Sequence, residues 1–242
     1  MTKIFKYELR RMLLSKFFLA LVLINSVFAW YTLTTETVLG VAFTAPFSPW
    51  SFGAYLSGVM PIANLTALFL LSNYYSKNAK QVAILTSATP VDPVKYMLIQ
   101  SGVVVLGFLL LCIVAVGLSV YFYASLFGYT NFAVFILPAI VTVLPSFIFF
   151  MGLGHWAGNV RPWLLFALIP VSFALGSVQY PVVLDFFGGG YFSSFPLTLP
   201  VGADGEPAFV FSRVFLATRV VYTVVGGGLW VVGLRFARRK IG

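Results

Sequence analysis

Charge is scarce in this sequence of 242 residues, of which only 9% are charged and 60% are hydrophobic. The mean hydropathy is +0.99, whereas soluble domains carry roughly a quarter charged residues. The 15 basic and 6 acidic side chains cannot cover the surface of a 26.6 kDa globule with groups that water solvates. The composition therefore argues against a soluble globular fold and predicts a polytopic membrane protein.

The residues that build disulfides, metal centres and nucleotide sites are also nearly absent. A single cysteine, Cys112, excludes an internal disulfide, and a single histidine, His155, excludes a metal site with several histidine ligands. The sequence contains no phosphate-binding loop of the form G-x-x-x-x-G-K-[ST], because the glycine runs 188–190 and 226–228 are not followed by lysine. We therefore expect this chain to bind no cofactor and to hydrolyse no ATP by itself.

Long uncharged stretches organise the chain. The stretch 96–160 would form a helix of roughly 98 Å, about three bilayer cores, so it must turn, and 127–131 is its polar, glycine-containing break. These stretches lack the alternation of a barrel, and backbone polar groups in lipid must be satisfied internally. We predict an all-α polytopic membrane fold whose six transmembrane helices lie at about 17–33, 52–71, 97–122, 132–153, 163–183 and 214–234, with an outer loop at 184–213.

Basic residues are distributed unevenly between the predicted loops. Thirteen of the 15 lie on one side of the spans, and only Arg213 and Arg219 lie on the other. The positive-inside rule places the basic side and both termini in the cytoplasm. Topology and anionic lipid explain the basic excess, so no nucleic-acid partner is expected. A cleaved signal peptide ending near Ala29 is the competing interpretation, and the charged lead that contains Glu8 disfavours it.

The first sixteen residues predict an amphipathic elbow helix that lies along the membrane interface and leads into the first span. One face carries the apolar side chains Phe5, Leu9, Met12 and Leu13. The basic residues of the segment, which would face lipid head groups, are Lys3, Lys6, Arg10 and Arg11. A simple orientation anchor is the alternative role for this helix.

Residues 77–93 form the longest connection on the predicted cytoplasmic side. A short apolar helix face, too brief to span the membrane, is formed by Val82, Ile84, Leu85 and Ala88. The proline turn 89–93 then ends this helix, because proline lacks an N–H and disfavours helix in the residue before it. Such a turn directly before a span would transmit force from a cytoplasmic partner, although an ordinary loop is the alternative.

Two of these segments resemble the permease subunit of ATP-binding-cassette transporters, in the bacterial type-2 export family. Residues 6–17 resemble the family's opening elbow helix, and Ile84–Asp92 resemble its cytoplasmic coupling helix and Pro-Val turn. Six spans, short outer loops and a longer loop before the last span also match, so the resemblance covers the whole chain. Family members often carry Gly-Thr and an acidic residue where this chain reads Lys-Asn-Ala-Lys-Gln at 77–81.

The resemblance implies a non-catalytic permease in the bacterial cytoplasmic membrane, paired with a second permease as a homo- or heterodimer. Each permease would dock on a separate ABC ATPase, which binds ATP and magnesium. The implied ATPase-coupling interface comprises Lys80, Gln81, Val82, Ile84, Leu85, Ala88, Thr89 and Pro90. Two other functions stay open, namely a membrane-embedded substrate-binding subunit of a vitamin-uptake transporter and an intramembrane enzyme.

The enzyme alternative depends on His155. An intramembrane serine protease needs a Ser–His pair, usually with a Gly-x-Ser-Gly motif, and Ser57-Gly58 lacks the first glycine because position 55 is tyrosine. We expect His155 to be an interfacial residue at the cytoplasmic edge.

Three polar residues within the predicted spans are candidates for a transport pathway. Asn25 and Asn64 can bond between helices or line a cavity, with interhelical packing the expected role. Arg219 lies near the start of the last span, so we expect it to snorkel outward, with a cavity role as the alternative. Because the spans contain so little charge, the cargo is expected to be an amphipathic or hydrophobic molecule such as a membrane-active peptide or a lipid.

Overall fold

A computed structural model of the chain describes residues 2–76, 93–178, 181–202 and 205–239. Within these ranges the backbone is predominantly helical. The helices are α1 (Thr2–Leu13), α2 (Lys16–Thr35), α3 (Pro49–Tyr74), α4 (Pro93–Phe127), α5 (Ile136–Val160), α6 (Trp163–Ser177), α7 (Gly189–Ser194) and α8 (Arg213–Arg239). Short 3₁₀ turns occupy Thr37–Leu39, Phe132–Phe135 and Phe195–Thr198.

Five segments of the described chain are long and apolar enough to cross a membrane. They are Lys16–Leu39, Pro49–Tyr74, Val94–Phe127, Phe132–Val160 and Arg213–Phe236. Five of the six predicted spans fall within these segments, so the prediction of a helical membrane protein is confirmed.

The remaining predicted span, 163–183, is wrong in extent. Its helix α6 ends at Ser177 and is only about 22 Å long, less than a bilayer core. Val178 is already extended, with φ −117° and ψ 137°, and residues 182–184 form a turn. Proline at position 181 lacks the N–H that a continuing helix needs and restricts the residue before it. The described residues therefore contain five helical segments of spanning length and the shorter α6.

Helix α3 lies at the centre of the bundle, because its apolar residues surround the helix instead of forming one stripe. It packs against α2, α4, α5, α6 and α7, and it is the most deeply buried of the long apolar segments of the described chain. Ser48 caps its first turn by accepting a hydrogen bond from the Ser51 amide at 3.1 Å. Gly176 of α6 packs directly on Pro61 of α3, where any Cβ would overlap the proline ring.

Helices α5 and α8 run parallel and form the most extensive helix pair. A Cβ on Gly226 would lie 2.5 Å from the carbonyl oxygen of Ile148, and Gly233, two turns later, faces His155. Residue numbers therefore rise in the same direction along both helices. The chain between α5 and α8 must return to the end of the bundle where α5 begins, and α6 provides this return.

The bundle has two distinct ends. The loop end contains the described parts of 36–48, 128–131 and 178–212. These connections touch, because the Ala45 amide donates to Glu206 at 2.7 Å and the Phe47 and Tyr129 rings stack at 4.9 Å. The terminal end contains residues 2–15, 75–76, 161–162 and 235–239. Among the described basic residues, all except Arg213 and Arg219 lie at or next to the terminal end.

Helix α1 packs on the first half of α4, which is the part nearest the terminal end of the bundle. Met12 contacts the position of Gly107, and Phe5 contacts the position of Gly102. The buried carboxylate of Glu8 pairs with Arg11 at 2.7 Å and accepts a hydrogen bond from the Tyr96 hydroxyl at 3.4 Å. Ser15 then caps α2, accepting from the Phe18 amide at 3.1 Å, which separates α1 from α2 by a sharp turn.

Candidate functional site

A cleft of about 410 Å³ opens on the side of the bundle near the loop end. Helices α2 and α6 both pack on α3 but make little contact with each other, so α3 forms the floor between them. We call this cavity the lateral cleft. Its lining comprises Phe28, Thr32, Glu36 and Val41, then Ala54, Ser57, Gly58, Pro61 and Ile62, then Phe173, Leu175, Gly176 and Val178, and finally Asp185, Phe187, Gly189, Gly190 and Ser193.

The lateral cleft combines aromatic walls with a few polar groups. Phe28, Phe173 and Phe187 contribute rings. The hydroxyls are already engaged within their own helices, since Ser57 donates to the Ala54 carbonyl at 2.7 Å and Ser193 donates to the Gly189 carbonyl at 2.6 Å. A concave surface that combines apolar walls with convergent polar groups, as this one does, suits a small amphipathic molecule.

The roof of the lateral cleft is a turn held by Asp185. Its carboxylate accepts hydrogen bonds from the backbone amides of Gly188 at 2.7 Å and Tyr191 at 2.9 Å. Gly188 has φ +95°, a left-handed conformation that glycine adopts without strain. The short helix α7 starts immediately after it and lies over α3, where the Phe192 ring occupies the space beside Gly53.

Arg219 of α8 binds the same turn through its backbone carbonyls. Its guanidinium donates to the carbonyl oxygen of Asp185 at 2.8 Å and to that of Phe186, and it lies over the Phe215 ring at 4.4 Å. Arg219 is only 3% exposed and does not line the lateral cleft. The expected snorkelling toward water is therefore wrong, because the folded loop brings carbonyl acceptors to the charge.

An aromatic cluster joins the roof to the start of α8. Tyr191 stacks on Phe215 at 3.9 Å, and its hydroxyl donates to the Val210 carbonyl at 3.0 Å while accepting from the Ser212 amide at 2.8 Å. Burial raises the pKa of the Tyr191 phenol, so the hydroxyl keeps the proton that this arrangement requires. Trp50 at the top of α3 belongs to the same buried cluster.

Asn25 and Asn64, the two asparagines predicted as pathway candidates, are both engaged in other contacts. Asn25 is fully buried, and its amide reaches from α2 to the Leu111 carbonyl of α4 at 3.5 Å. The Asn64 amide donates within α3 to the Met60 carbonyl at 3.0 Å. Neither residue lines the lateral cleft.

A second polar cluster lies near the terminal end, around His155. The Tyr75 hydroxyl lies 2.9 Å from Nδ1 of His155, and the Ser101 hydroxyl lies 2.9 Å from its Nε2. Asn159 donates to the Gly233 carbonyl at 3.1 Å, and the His155 ring stacks on Trp230. These contacts join α3, α4, α5 and α8, and we call them the histidine cluster.

The histidine cluster corrects the expected interfacial position of His155. The side chain is 1% exposed, and Ser101 is equally buried. The Ser101 hydroxyl also lies 2.9 Å from the Met97 carbonyl, and neither residue lines the lateral cleft. A serine nucleophile needs an exposed oxygen beside a substrate cavity. The geometry of the histidine cluster is therefore that of an interhelical tie.

The other predicted segments stand as follows. Helix α1 exposes Lys3, Lys6 and Arg10 and turns Phe5, Leu9 and Met12 inward, as an amphipathic helix should. The proposed coupling residues 80–90 lie outside the described residues. Tyr75, which precedes the segment in sequence, is described and belongs to the histidine cluster.

The sequence matches no protein-family model, and no curated protein or solved structure is detectably similar to it.

Sequence reasoning missed the residues that form the lateral cleft. Glu36 and Asp185 are acidic residues at the predicted outer ends of two different spans, and no sequence motif relates either of them to Gly58. The one available signal was their shared predicted depth, because 33–36, 52–58 and 178–190 all fall near the outer ends of spans. Depth alone does not show which helices are neighbours.

Proposed function

We propose that this chain is the permease subunit of an ATP-driven exporter of the ATP-binding-cassette type, moving an amphipathic or hydrophobic molecule such as a membrane-active peptide or a lipid. The observation that carries the proposal is the lateral cleft. A cavity that opens between two membrane helices exchanges a ligand directly with the bilayer, where amphipathic molecules concentrate. Because the proposed orientation places the loop end outside, such exchange near this end would release an exported cargo. Its aromatic walls suit an apolar body, and its few polar groups suit a single head group.

The proposed energy source is a separate ABC ATPase that binds ATP and magnesium and docks at the terminal end. Residues 77–92 join α3 to α4 in sequence, and the helix ends on both sides of them lie at the terminal end, near the histidine cluster. We expect a movement that the ATPase imposes between α3 and α4 to act on Tyr75 and, through the Tyr75–His155 contact, on α5. The proposed orientation puts both termini in the cytoplasm of a bacterium, since the terminal end carries the basic residues.

The proposed assembly contains two permeases, either two copies of this chain or this chain with a homologue. Large apolar side chains on α2, α4 and α8 are exposed over much of their length. Lipid and a second permease both satisfy such surfaces.

The experiment that tests the proposal is co-purification followed by reconstitution. An ABC ATPase should be recovered with the chain from its native membrane, and ATP hydrolysis by the reconstituted complex should be stimulated by amphipathic peptides or lipids. A purified chain that binds no ATPase, or a complex stimulated and used only by a small hydrophilic solute, would contradict the proposal.

Docking of the ATPase on the 77–93 segment gives a sharper prediction. Burial of Leu85 in a partner groove would contribute about 1.5–3 kcal/mol, so Leu85→Glu should detach or uncouple the ATPase while the permease stays folded. The measurement is ATPase recovery together with transport. Leu39→Glu is the matched control, because Leu39 is 81% exposed at the opposite end of the bundle. Normal recovery and transport with Leu85→Glu would exclude this docking position.

A further inference from the structure

We propose that the lateral cleft selects amphipathic cations, meaning molecules with one cationic group on an apolar body. This inference rests on the proposed function for its role in transport, but the selectivity itself belongs to the cleft. It narrows the cargo from amphipathic molecules in general to those of one charge sign.

The lip of the lateral cleft carries an uncompensated negative charge. Glu36 lies at the end of α2 with its side chain exposed, and no cation within the described residues pairs with it. No lysine or arginine is among the residues that line the cleft. A carboxylate at the edge of a low-dielectric cavity acts over a longer distance than one in open water. The cleft therefore attracts a cation and repels an anion.

Asp185 does not change the sign of the charge that the lateral cleft presents to a ligand. Its carboxylate is already bound by two backbone amides, and the Arg219 guanidinium lies close by on the carbonyl of the same residue. The Asp185 and Arg219 charges approximately cancel, and both are buried. Glu36 is then the charge that an entering ligand meets.

The walls favour an organic cation over a metal ion. Phe28, Phe173 and Phe187 line the cleft, and aromatic faces attract ammonium groups through their negative potential. A metal ion needs several oxygen ligands, whereas the described residues include no group of three acidic, histidine or cysteine side chains, and the Asp185 carboxylate is already bound by two backbone amides. A volume of about 410 Å³ suits an alkylammonium or arylammonium group with part of its apolar body.

The test measures charge selectivity at a cysteine placed in the cleft. Cys112 is the chain's one cysteine, so Cys112→Ser supplies a thiol-free background. Ser193→Cys places a thiol at the roof of the cleft, and Thr198→Cys, exposed in the same loop, is the matched control. The purified protein in nanodiscs is treated with a trimethylammonium-ethyl thiosulfonate and with a sulfonato-ethyl thiosulfonate of similar size.

We expect the ratio of cation to anion reaction rates to be about tenfold higher at Ser193→Cys than at Thr198→Cys. Glu36→Gln should bring the two ratios together, and Glu36→Asp, which keeps the charge, should restore most of the difference. Dodecyltrimethylammonium should slow the labelling of Ser193→Cys, whereas dodecyl maltoside at the same concentration should not. Labelling of Thr198→Cys in every variant gives the intrinsic reactivity of the two reagents toward an exposed thiol in the same loop.

Equal ratios at the two positions, an unreactive Ser193→Cys, or a ratio that Glu36→Gln leaves unchanged would each overturn the inference. No ATPase takes part in this assay, so its outcome is independent of the proposed function. A cleft without charge preference in a complex that does export its cargo refutes only the selectivity. A cation-selective cleft in a chain that binds no ATPase refutes only the transporter proposal.

Discussion

Arg219 illustrates at the scale of single residues how a charge is accommodated in an apolar helix. A guanidinium can reach water by extending its side chain, or it can bind polar groups that the fold brings to it. Here the loop after α6 supplies two carbonyl oxygens and the Phe215 ring supplies a face for the cation. The side chain consequently fixes the loop that roofs the lateral cleft.

Replacement of this side chain should therefore be costly. Arg219→Met removes the hydrogen bonds of a charged donor to the Asp185 and Phe186 carbonyls and should lower the free energy of unfolding by about 1.5–3 kcal/mol for each bond lost. Thermal unfolding in detergent measures the loss. Arg213→Met, at an exposed position in the same helix, should change stability by less than about 0.5 kcal/mol. Equal effects of the two substitutions would show that Arg219 is not held as described.

The three consecutive glycines of α8 differ from one another at the same scale. Gly226 lies against the backbone of Ile148 and Phe149, whereas Gly227 and Gly228 have open space where a Cβ would be. Gly226→Ala should destabilise the protein by about 1–3 kcal/mol through overpacking. Gly228→Ala should be neutral or stabilise it by up to about 1 kcal/mol, since alanine is the better helix former. The comparison uses thermal unfolding of both variants, and a stabilising Gly226→Ala would contradict the close contact.

At the scale of elements, local interactions determine where a helix ends, whereas long-range contacts determine which helices pack together. Local chemistry ends α6 near Pro181 and separates α1 from α2 at the Ser15 cap. Neighbours depend on contacts between residues far apart in sequence, such as Tyr75, Ser101 and His155 in the histidine cluster. Such a cluster joins the elements on both sides of the 77–92 segment into one unit.

Loss of the histidine cluster should loosen these elements together. His155→Phe keeps the ring stacked near Trp230 but leaves the Tyr75 and Ser101 hydroxyls without their shared partner, at a cost of about 2–4 kcal/mol. The rate of amide hydrogen exchange should rise in those parts of α3 and α4 that lie at the terminal end of the bundle. Ser125→Ala, which removes a hydrogen bond within one helix, is the control. Exchange that rises in one helix alone would refute the coupling of α3 to α4.

At the scale of the whole molecule, the parallel packing of α5 and α8 and the uneven charge distribution both distinguish the same two ends of the bundle. The parallel pair requires the connection between them to return along the bundle, which α6 accomplishes even though it is short. Both described chain ends therefore lie at one end of the bundle. That end collects the described basic residues, as the proposed cytoplasmic placement of this end requires.

The topology is tested by accessibility in intact cells. In the Cys112→Ser background, Leu39→Cys should react with an impermeant thiol reagent from outside, because Leu39 is exposed at the loop end. Ser76→Cys, exposed at the terminal end, should react only after the membrane is permeabilised. The opposite pattern would invert the proposed orientation, and labelling of both sites from outside would contradict the two-ended arrangement.

The sequence by itself determined the class of protein, five of the spans and the amphipathic character of α1. Those properties follow from hydropathy and from side chains a few positions apart, which act within one segment. The tertiary structure decided that Glu36, Ser57 and Asp185 share one cleft, that Arg219 faces a loop instead of water, and that His155 is an interhelical tie. These outcomes depend on which helices are neighbours, and in an almost uniformly apolar chain the packing surfaces carry little signal in local pattern because lipid-facing and helix-facing residues are equally hydrophobic.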